Sequence, residues 1–279
     1  MTNTLTHPTV AKAARDIIET GYAVVKLDEL GARTLQRAIS TAVDFFQRPL
    51  DDKMTHGSAD HNYGYRPFGI EYSISPERPD MNECFTLWSS RLDLIPNRDD
   101  IPELTGSFVD YRDTLAPLVK GILDEIAQHF GTDAAPAFEK AAYLQINYSI
   151  PAPPERGYLQ DKHEDGHMVT VLHPNAPGLE IYAEGFDSDT VVPMLPAEDV
   201  IVIMPGSVLT ALTDGAIQPL YHQVRNHGLD DRQSIMYFVN PEIDEPLYSW
   251  VAGDGDKVDL REQVRSAPSM FGLPDVEVL

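Results

Sequence analysis

Cysteine is nearly missing from this chain of 279 residues, where Cys84 stands alone. No internal disulfide can form, and no cysteine-based zinc finger or iron–sulfur cluster can be assembled. Nothing therefore demands an oxidising compartment. Basic residues are also scarce, 21 Lys and Arg against 44 Asp and Glu, for a net charge of −23. That balance argues against nucleic acid or an anionic membrane surface as a partner. No apolar run approaches the ~20 residues that span a bilayer, and the N-terminus lacks a charged-then-apolar signal segment. A soluble cytoplasmic protein, monomer or homodimer, is the expectation. Repeats and low-complexity tracts are absent too.

What is present suffices for a sizeable core, since 42% of residues are apolar. The first half reads as helical. Apolar residues at helical spacing mark helices at 9–20, 31–46 and, longest, 105–130, where Phe108, Tyr111, Leu115, Leu118, Ile122 and Ile126 form one stripe and Gly131 is the stop. Strands are expected at 22–27 and 83–88. Residues 55–80 have no period and much Gly, Pro, Tyr and Arg, which reads as a long loop of the kind that is often functional. After Pro136 the pattern changes to short strands: 143–150, 169–172, 179–182, 191–195, 199–204, 208–212, 220–224 and 234–239. Strands of this number and spacing suggest a β-sandwich or jelly roll. The expected fold is α+β with a mainly β core, a double-stranded β-helix flanked by N-terminal helices. No flexible tract separates the halves, so one domain is expected: 1–136 helical with substrate loops, 137–245 the jelly-roll core, and 246–279 a C-terminal segment with a last helix at 257–267.

The stretch His163-Glu164-Asp165-Gly166-His167 carries chemistry in two readings. In a strand, residues i and i+2 share a face, so His163 and Asp165 offer an imidazole and a carboxylate side by side, two thirds of the 2-His-1-carboxylate set that holds non-haem Fe(II). In a helix, His163 and His167 share a face with Glu164 between them, the H-E-x-x-H zinc-protease pattern. Gly166 in mid-helix and the β-branched run Met168-Val169-Thr170-Val171-Leu172 favour the strand.

A facial triad needs a distant second histidine. In Leu220-Tyr221-His222-Gln223-Val224, alternation puts His222 on the apolar face with Leu220 and Val224. Further on, Arg232 and Ser234 share a face, a guanidinium fork beside a hydroxyl, which suits a carboxylate. Each signal is weak alone. With nine His and 44 acids, chance supplies about one His-x-acid pair. A lone strand histidine is more often a hydrogen-bonded core residue than a ligand. His56, His61, His129 and His227 are assigned to the surface, and His167 and His173 to flanks of the site without a metal role.

The ordered set is more specific than its members. Phe45-Phe46 with Pro49 and Lys53, Asp80 with Glu83 and Phe85, Asn147-Tyr148, His163-x-Asp165 with Thr170, Gly178-Leu179-Glu180, Gly206 with Leu209, Asp214-Gly215, His222, and Arg232-x-Ser234 leading to Asn240-Pro241 follow one another along most of the chain. In this the sequence resembles the iron- and 2-oxoglutarate-dependent dioxygenases of the isopenicillin N synthase-like group. The resemblance implies that His163, Asp165 and His222 bind Fe(II), and that Arg232 and Ser234 hold the distal carboxylate of 2-oxoglutarate, with Asn147 and Tyr148 as further cosubstrate contacts. It implies use of O2 and release of succinate and CO2 while a small organic molecule is hydroxylated, desaturated or cyclised. Two positions depart from the group: Ser149 stands where a second tyrosine is frequent, and Gln223 where an arginine is frequent.

In the group, substrate choice lies with N-terminal loops and the C-terminal segment. Tyr65, Arg66, Phe68, Tyr72 and Glu83 are the candidates here, with Tyr63, Asn82, Tyr248 and Trp250 nearby, and ordinary packing is the competing reading for the aromatics. Alternatives at this stage are an iron- and oxygen-dependent oxidase without 2-oxoglutarate, in which Arg232 and Ser234 hold the substrate's own carboxylate, a zinc protease, and a non-catalytic jelly-roll binding protein.

Overall fold

The computed structural model describes residues 7–242, 246–251, 257–258 and 260. The N-terminal part contributes helices α1 (His7–Thr20), α2 (Glu29–Phe46), α3 (Leu50–Met54) and α4 (Pro102–Phe130), with strands β1 (Ala23–Lys26), β2 (Gly64–Arg66) and β3 (Asn82–Trp88) among them. The C-terminal part contributes β4 (Tyr143–Ser149), β5 (Tyr158–His163), β6 (Val169–Pro174), β7 (Leu179–Tyr182), β8 (Val192–Pro193), β9 (Val200–Pro205), α5 (Ser207–Leu212), β10 (Tyr221–Arg225), β11 (Gln233–Val239), β12 (Leu247–Tyr248) and β13 (Lys257–Val258).

The helix ends follow local chemistry. Asp28 caps α2 by accepting from the Gly31 amide at 2.8 Å. Pro102 occupies the first turn of α4, where its missing N–H costs nothing. Gly131 closes that helix in the left-handed region, at φ 101°. The proline start explains why α4 begins three residues before the expected Thr105.

Two antiparallel sheets face each other. The larger has the order β1-β9-β6-β11-β4-β3-β2 and the smaller β5-β10-β7-β8. Strands from the N-terminal part thus complete the larger sheet. Period-two alternation splits its side chains. Phe85, Leu87, Leu144, Ile146, Val169, Val171, Ile201 and Ile203 join the helices in one core. Trp88, Tyr143, Leu172, Val202, Met204, Met236 and Phe238 point inward, where they meet Leu179, Ile181 and Leu220.

Several expectations are corrected. The segment 208–212 is helix α5, since Val208, Leu209 and Leu212 bury as a helical face as readily as a strand would. Strand β5, absent from the expectations, is polar (Tyr-Leu-Gln-Asp-Lys-His) and lies at the edge of the smaller sheet. The strand expected at 191–195 shrinks to Val192–Pro193. His56 is buried against Phe45, with ring centroids 5.8 Å apart, and is no surface residue. His129 and His227 are exposed and His61 half-buried. The last helix expected at 257–267 falls mostly outside the described residues, and Lys257–Val258 pairs as strand. Among the described residues no helix is long and apolar enough to cross a membrane.

Candidate metal centre

Cross-strand pairing brings two histidines together. In the smaller sheet His222 of β10 stands directly opposite His163, the last residue of β5. Their ring centroids are 4.3 Å apart. His163 Nδ1 donates to Asp161 O at 2.7 Å and His222 Nδ1 to Leu220 O at 3.3 Å. A carbonyl only accepts, so the proton sits on Nδ1 and each Nε2 is left as a lone-pair donor.

Asp165 completes the set, though not from a strand. It lies in the turn after β5, so the expected i, i+2 strand pairing with His163 is replaced by a bend that reaches the same result. His163 Nε2 is 3.9 Å from Asp165 Oδ1, and His222 Nε2 is 4.0 Å from Oδ2. The three ligand atoms lie within 4.8 Å of one another. Thr170 Oγ1 donates to Asp165 Oδ2 at 2.6 Å. The turn rests on the start of α5, where the Ser207 amide donates to Asp165 O at 3.1 Å. A Cβ at Gly206 would stand 2.2 Å from Asp165 O and 2.4 Å from His167 O, so only glycine lets the two segments meet.

Electrostatics suit a divalent cation. Burial, with His163 beside it, pushes His222 down to about 4, against the pull of Asp165, so the imidazole is neutral near pH 7. Burial would raise the Asp165 carboxyl, but His222, His163, His167 and the Thr170 hydroxyl together hold it below its ordinary value. Two imidazoles and one carboxylate are the donor set of a non-haem Fe(II) site. The zinc-protease alternative fails, because residues 164–168 are not helical and His167 Nε2 instead meets Tyr143 OH at 3.0 Å. His173 points to the opposite face of β6, its Nδ1 donating to Val200 O.

A cavity of about 670 Å³ opens beside the triad. His163, Asp165 and His222 border it together with Arg66, Tyr72 and Asn147 of the expected set. Glu164 and His167 border it as well. Burial and the neighbouring Asp165 raise the Glu164 carboxyl to about 7, while Ser207 pulls it down.

Other expected residues stand elsewhere. Tyr148 points to the helix side and stacks on Phe46 at 5.1 Å. Adjacent strand residues face opposite ways, so Asn147 and Tyr148 cannot both reach the site. Glu83 is tied to Lys53 Nζ at 2.6 Å and to Tyr65 OH within the helix-side region, so neither Glu83 nor Tyr65 borders the cavity. Phe68 is exposed and outside it, as are Tyr248, also exposed, and Trp250, which packs in the helix-side core.

Arg232 and Ser234 do not border the cavity, yet they share the face of β11 whose Met236 and Phe238 do. Both are almost wholly buried, at 3% and 2% exposure. Arg232 Nε donates to Pro177 O at 3.1 Å, while Nη2 and the Ser234 hydroxyl have no partner among the described residues. Burial pushes the guanidinium down to about 10. Two orphaned donors side by side await an acceptor.

Comparison with known proteins gives a partial family match. Residues 141–241 match the family model of the 2OG-Fe(II) oxygenase superfamily. Over 227 residues the chain is 29% identical to oxoglutarate-dependent flavonoid 7-O-demethylase 1 of Ocimum basilicum, covering 76% of this chain and only 59% of the basil protein. It is 25% identical to gibberellin 2-beta-dioxygenase 1 of Pisum sativum, covering 88% of this chain and 77% of that one. The crystal structure of full-length Neurospora crassa T7H in complex with alpha-KG superposes with a TM-score of 0.76 at 19% identity, covering 96% and 92% of the two chains. A putative 2OG-Fe(II) oxygenase from Caulobacter crescentus gives the same score and identity, covering 96% and 97%. These likenesses show the jelly-roll fold.

The comparisons leave the inner wall of the cavity to be read from the structure. Tyr143, Gln145 and Asn147 border it together, and period-two alternation on β4 would have found the first two from Asn147. Glu71 and Asp80 come from the loop before β3, where no period exists to read.

Proposed function

We propose that this chain is a non-haem Fe(II)- and 2-oxoglutarate-dependent oxygenase of the isopenicillin N synthase-like group, which hydroxylates, desaturates or cyclises a small organic molecule. The observation that carries the reading is the pair of orphaned donors, Arg232 Nη2 and Ser234 Oγ, buried on the face of β11 that turns toward the triad. A buried guanidinium without a carboxylate is costly, and a dicarboxylate cosubstrate would satisfy it.

His163, Asp165 and His222 are the residues that would hold the metal, the two imidazoles through Nε2. Fe(II) with 2-oxoglutarate and O2 would supply the oxidising power for cleaving a C–H bond, the 2-oxoglutarate being converted to succinate and CO2. Arg232 and Ser234 bind the distal carboxylate of the cosubstrate and so fix its keto acid end toward the triad. Thr170 orients Asp165, and the backbone carbonyls of Asp161 and Leu220 orient the two rings. Tyr143, Phe238 and Leu172 give the cavity an apolar flank that limits water, and the sheets hold a bound molecule in place.

A cavity of about 670 Å³ suits a small molecule. The names of the relatives, a flavonoid demethylase and a gibberellin dioxygenase, support an organic substrate in specialised metabolism. The test is succinate release from 2-oxoglutarate by protein given Fe(II) and air, with a panel of candidate substrates. Release that requires iron and is abolished in His222→Ala is expected. Release that is equal in Arg232→Ala and the parent would sink the assignment of the carboxylate holder.

A further inference from the structure

The loop 67–80 sends one carboxylate into a ring of donors. Glu71 Oε1 accepts from Arg66 Nη1 at 2.5 Å and from Gln145 Nε2 at 2.8 Å, and Oε2 accepts from Asn82 Nδ2 at 2.9 Å. The donors come from three neighbouring strands, β2, β3 and β4. Arg66 stands opposite Cys84 and Gln145 opposite Thr86, so both share the face of β3 that carries Asn82. All three are buried, Arg66 at 9%, Asn82 at 5% and Gln145 at 6% exposure.

Arg66 and Gln145 are braced without Glu71. Arg66 Nε donates to His61 O at 2.7 Å. Gln145 Oε1 accepts from Thr86 Oγ1 at 3.1 Å, and its Nε2 also donates to Asn147 Oδ1 at 2.8 Å. A planar guanidinium with two amide N–H groups beside it is the donor set for a carboxylate. Sheet residues therefore build an anion pocket, and an acid from a loop fills it.

The loop is fixed from its second half, where Asp80 N donates to Glu71 O at 2.9 Å, Ser73 to Asp80 and Arg78 to Asp161, while its apolar side chains lie open. Phe68, Ile70, Tyr72 and Ile74 remain 45%, 42%, 39% and 63% exposed. Gly69 has φ +95° with open space around its Cβ position. Ile70, Tyr72 and Ile74 border the cavity mouth, as do Glu71 and Arg66. Glu71 itself has little left to offer a cationic ligand, because three donors already occupy its oxygens. The donors, in contrast, can exchange one carboxylate for another.

We infer that Arg66, Asn82 and Gln145 form the subsite for a carboxylate on the substrate, and that Glu71 is its internal occupant until the substrate displaces it. The substrate class is then a monocarboxylate with an apolar body, over which Ile70, Tyr72 and Ile74 settle. This rests on the oxygenase reading for the use of the cavity. A tethered carboxylate competes at an effective concentration of the order of millimolar, so its removal tightens binding of an outside carboxylate.

The test uses protein loaded anaerobically with Fe(II) and 2-oxoglutarate, so that the Arg232 pocket is filled. The weak visible band of the chelated keto acid is recorded first; its absence would count against the oxygenase reading and not against this subsite. Phenylacetate and its neutral isostere phenylacetamide are then titrated by calorimetry. Glu71→Gln is expected to bind phenylacetate at least tenfold more tightly than the parent, to bind phenylacetamide unchanged, and to lose the gain when Arg66→Met is added. No gain, an equal gain for both probes, or a gain that survives Arg66→Met overturns the inference. Should Glu71→Gln fail to form the band, the parent protein decides. It must prefer phenylacetate to phenylacetamide and lose that preference in Arg66→Met, and the absence of any preference overturns the inference equally.

Discussion

Thr170 Oγ1 donates a 2.6 Å hydrogen bond to Asp165 Oδ2, so the one carboxylate of the candidate metal centre is held by a side chain of the larger sheet. Asp165 sits in a turn, where it has no strand to fix it, and the threonine supplies that restraint. Second partners of metal ligands typically contribute 10–100-fold in affinity. Thr170→Val is therefore expected to weaken Fe(II) or Co(II) binding by about that factor, with Thr170→Ser close to the parent. Metal titration under argon reads both, and an unchanged affinity in Thr170→Val would show that the turn holds Asp165 unaided.

Lys53 and Glu83 form an ion pair on the other face of the large sheet, with side chains only 8% and 10% exposed. Lys53 Nζ also donates to Phe46 O, which ties α3 to the end of α2. Removing one partner strands a buried charge, at a cost of about 3–5 kcal/mol. Lys53→Ala should lose that much in urea unfolding. Lys53→Met combined with Glu83→Gln should lose clearly less than the two single changes summed. Strict additivity would mean that the two charges are not coupled.

Two histidines besides His222 make the fold sensitive to mild acid. Burial pushes His167 from 6.5 down to about 4, with Asp165 acting the other way, and burial lowers His173 against the pull of Val200 O. Both are neutral when folded, whereas the unfolded chain takes up protons below about 6.5. The unfolded state then binds more protons, so stability is complete above that value and is lost as pH falls toward 4. For His167 the loss is of the order of 3 kcal/mol at most. Urea midpoints of the metal-free protein across this window should fall, and His167→Gln should flatten the slope. A midpoint indifferent to pH between 6.5 and 4 would contradict the burial argument.

Much of the centre was legible in the chain because alternation survives in strands. Leu220, His222 and Val224 do share the inner side, and Arg232 and Ser234 do share a face of β11. The same rule, applied to Glu83 beside Phe85 and Leu87, would have turned Glu83 toward the helices and removed it from the substrate set. Applied to Asn147 and Tyr148, it allows only one of the pair to face the site. Asp165 was found through a conformation it does not adopt, since a strand and a tight turn both bring i and i+2 close. Strand β5 stayed hidden because an edge strand of polar residues has no apolar period. Glu71 stayed hidden because loop 67–80 has none either, and its placement is decided by Arg66, Asn82 and Gln145, which come from three separate strands.

The most direct test of the central claim is optical. Fe(II) and then 2-oxoglutarate are added to the protein without oxygen, and the visible spectrum is followed. A weak charge-transfer band from the chelated keto acid is expected, absent in His222→Ala and much reduced in Arg232→Ala at the same 2-oxoglutarate concentration. Iron binding with no band at any 2-oxoglutarate concentration would contradict that claim, and would leave Arg232 and Ser234 to a carboxylate of the substrate itself.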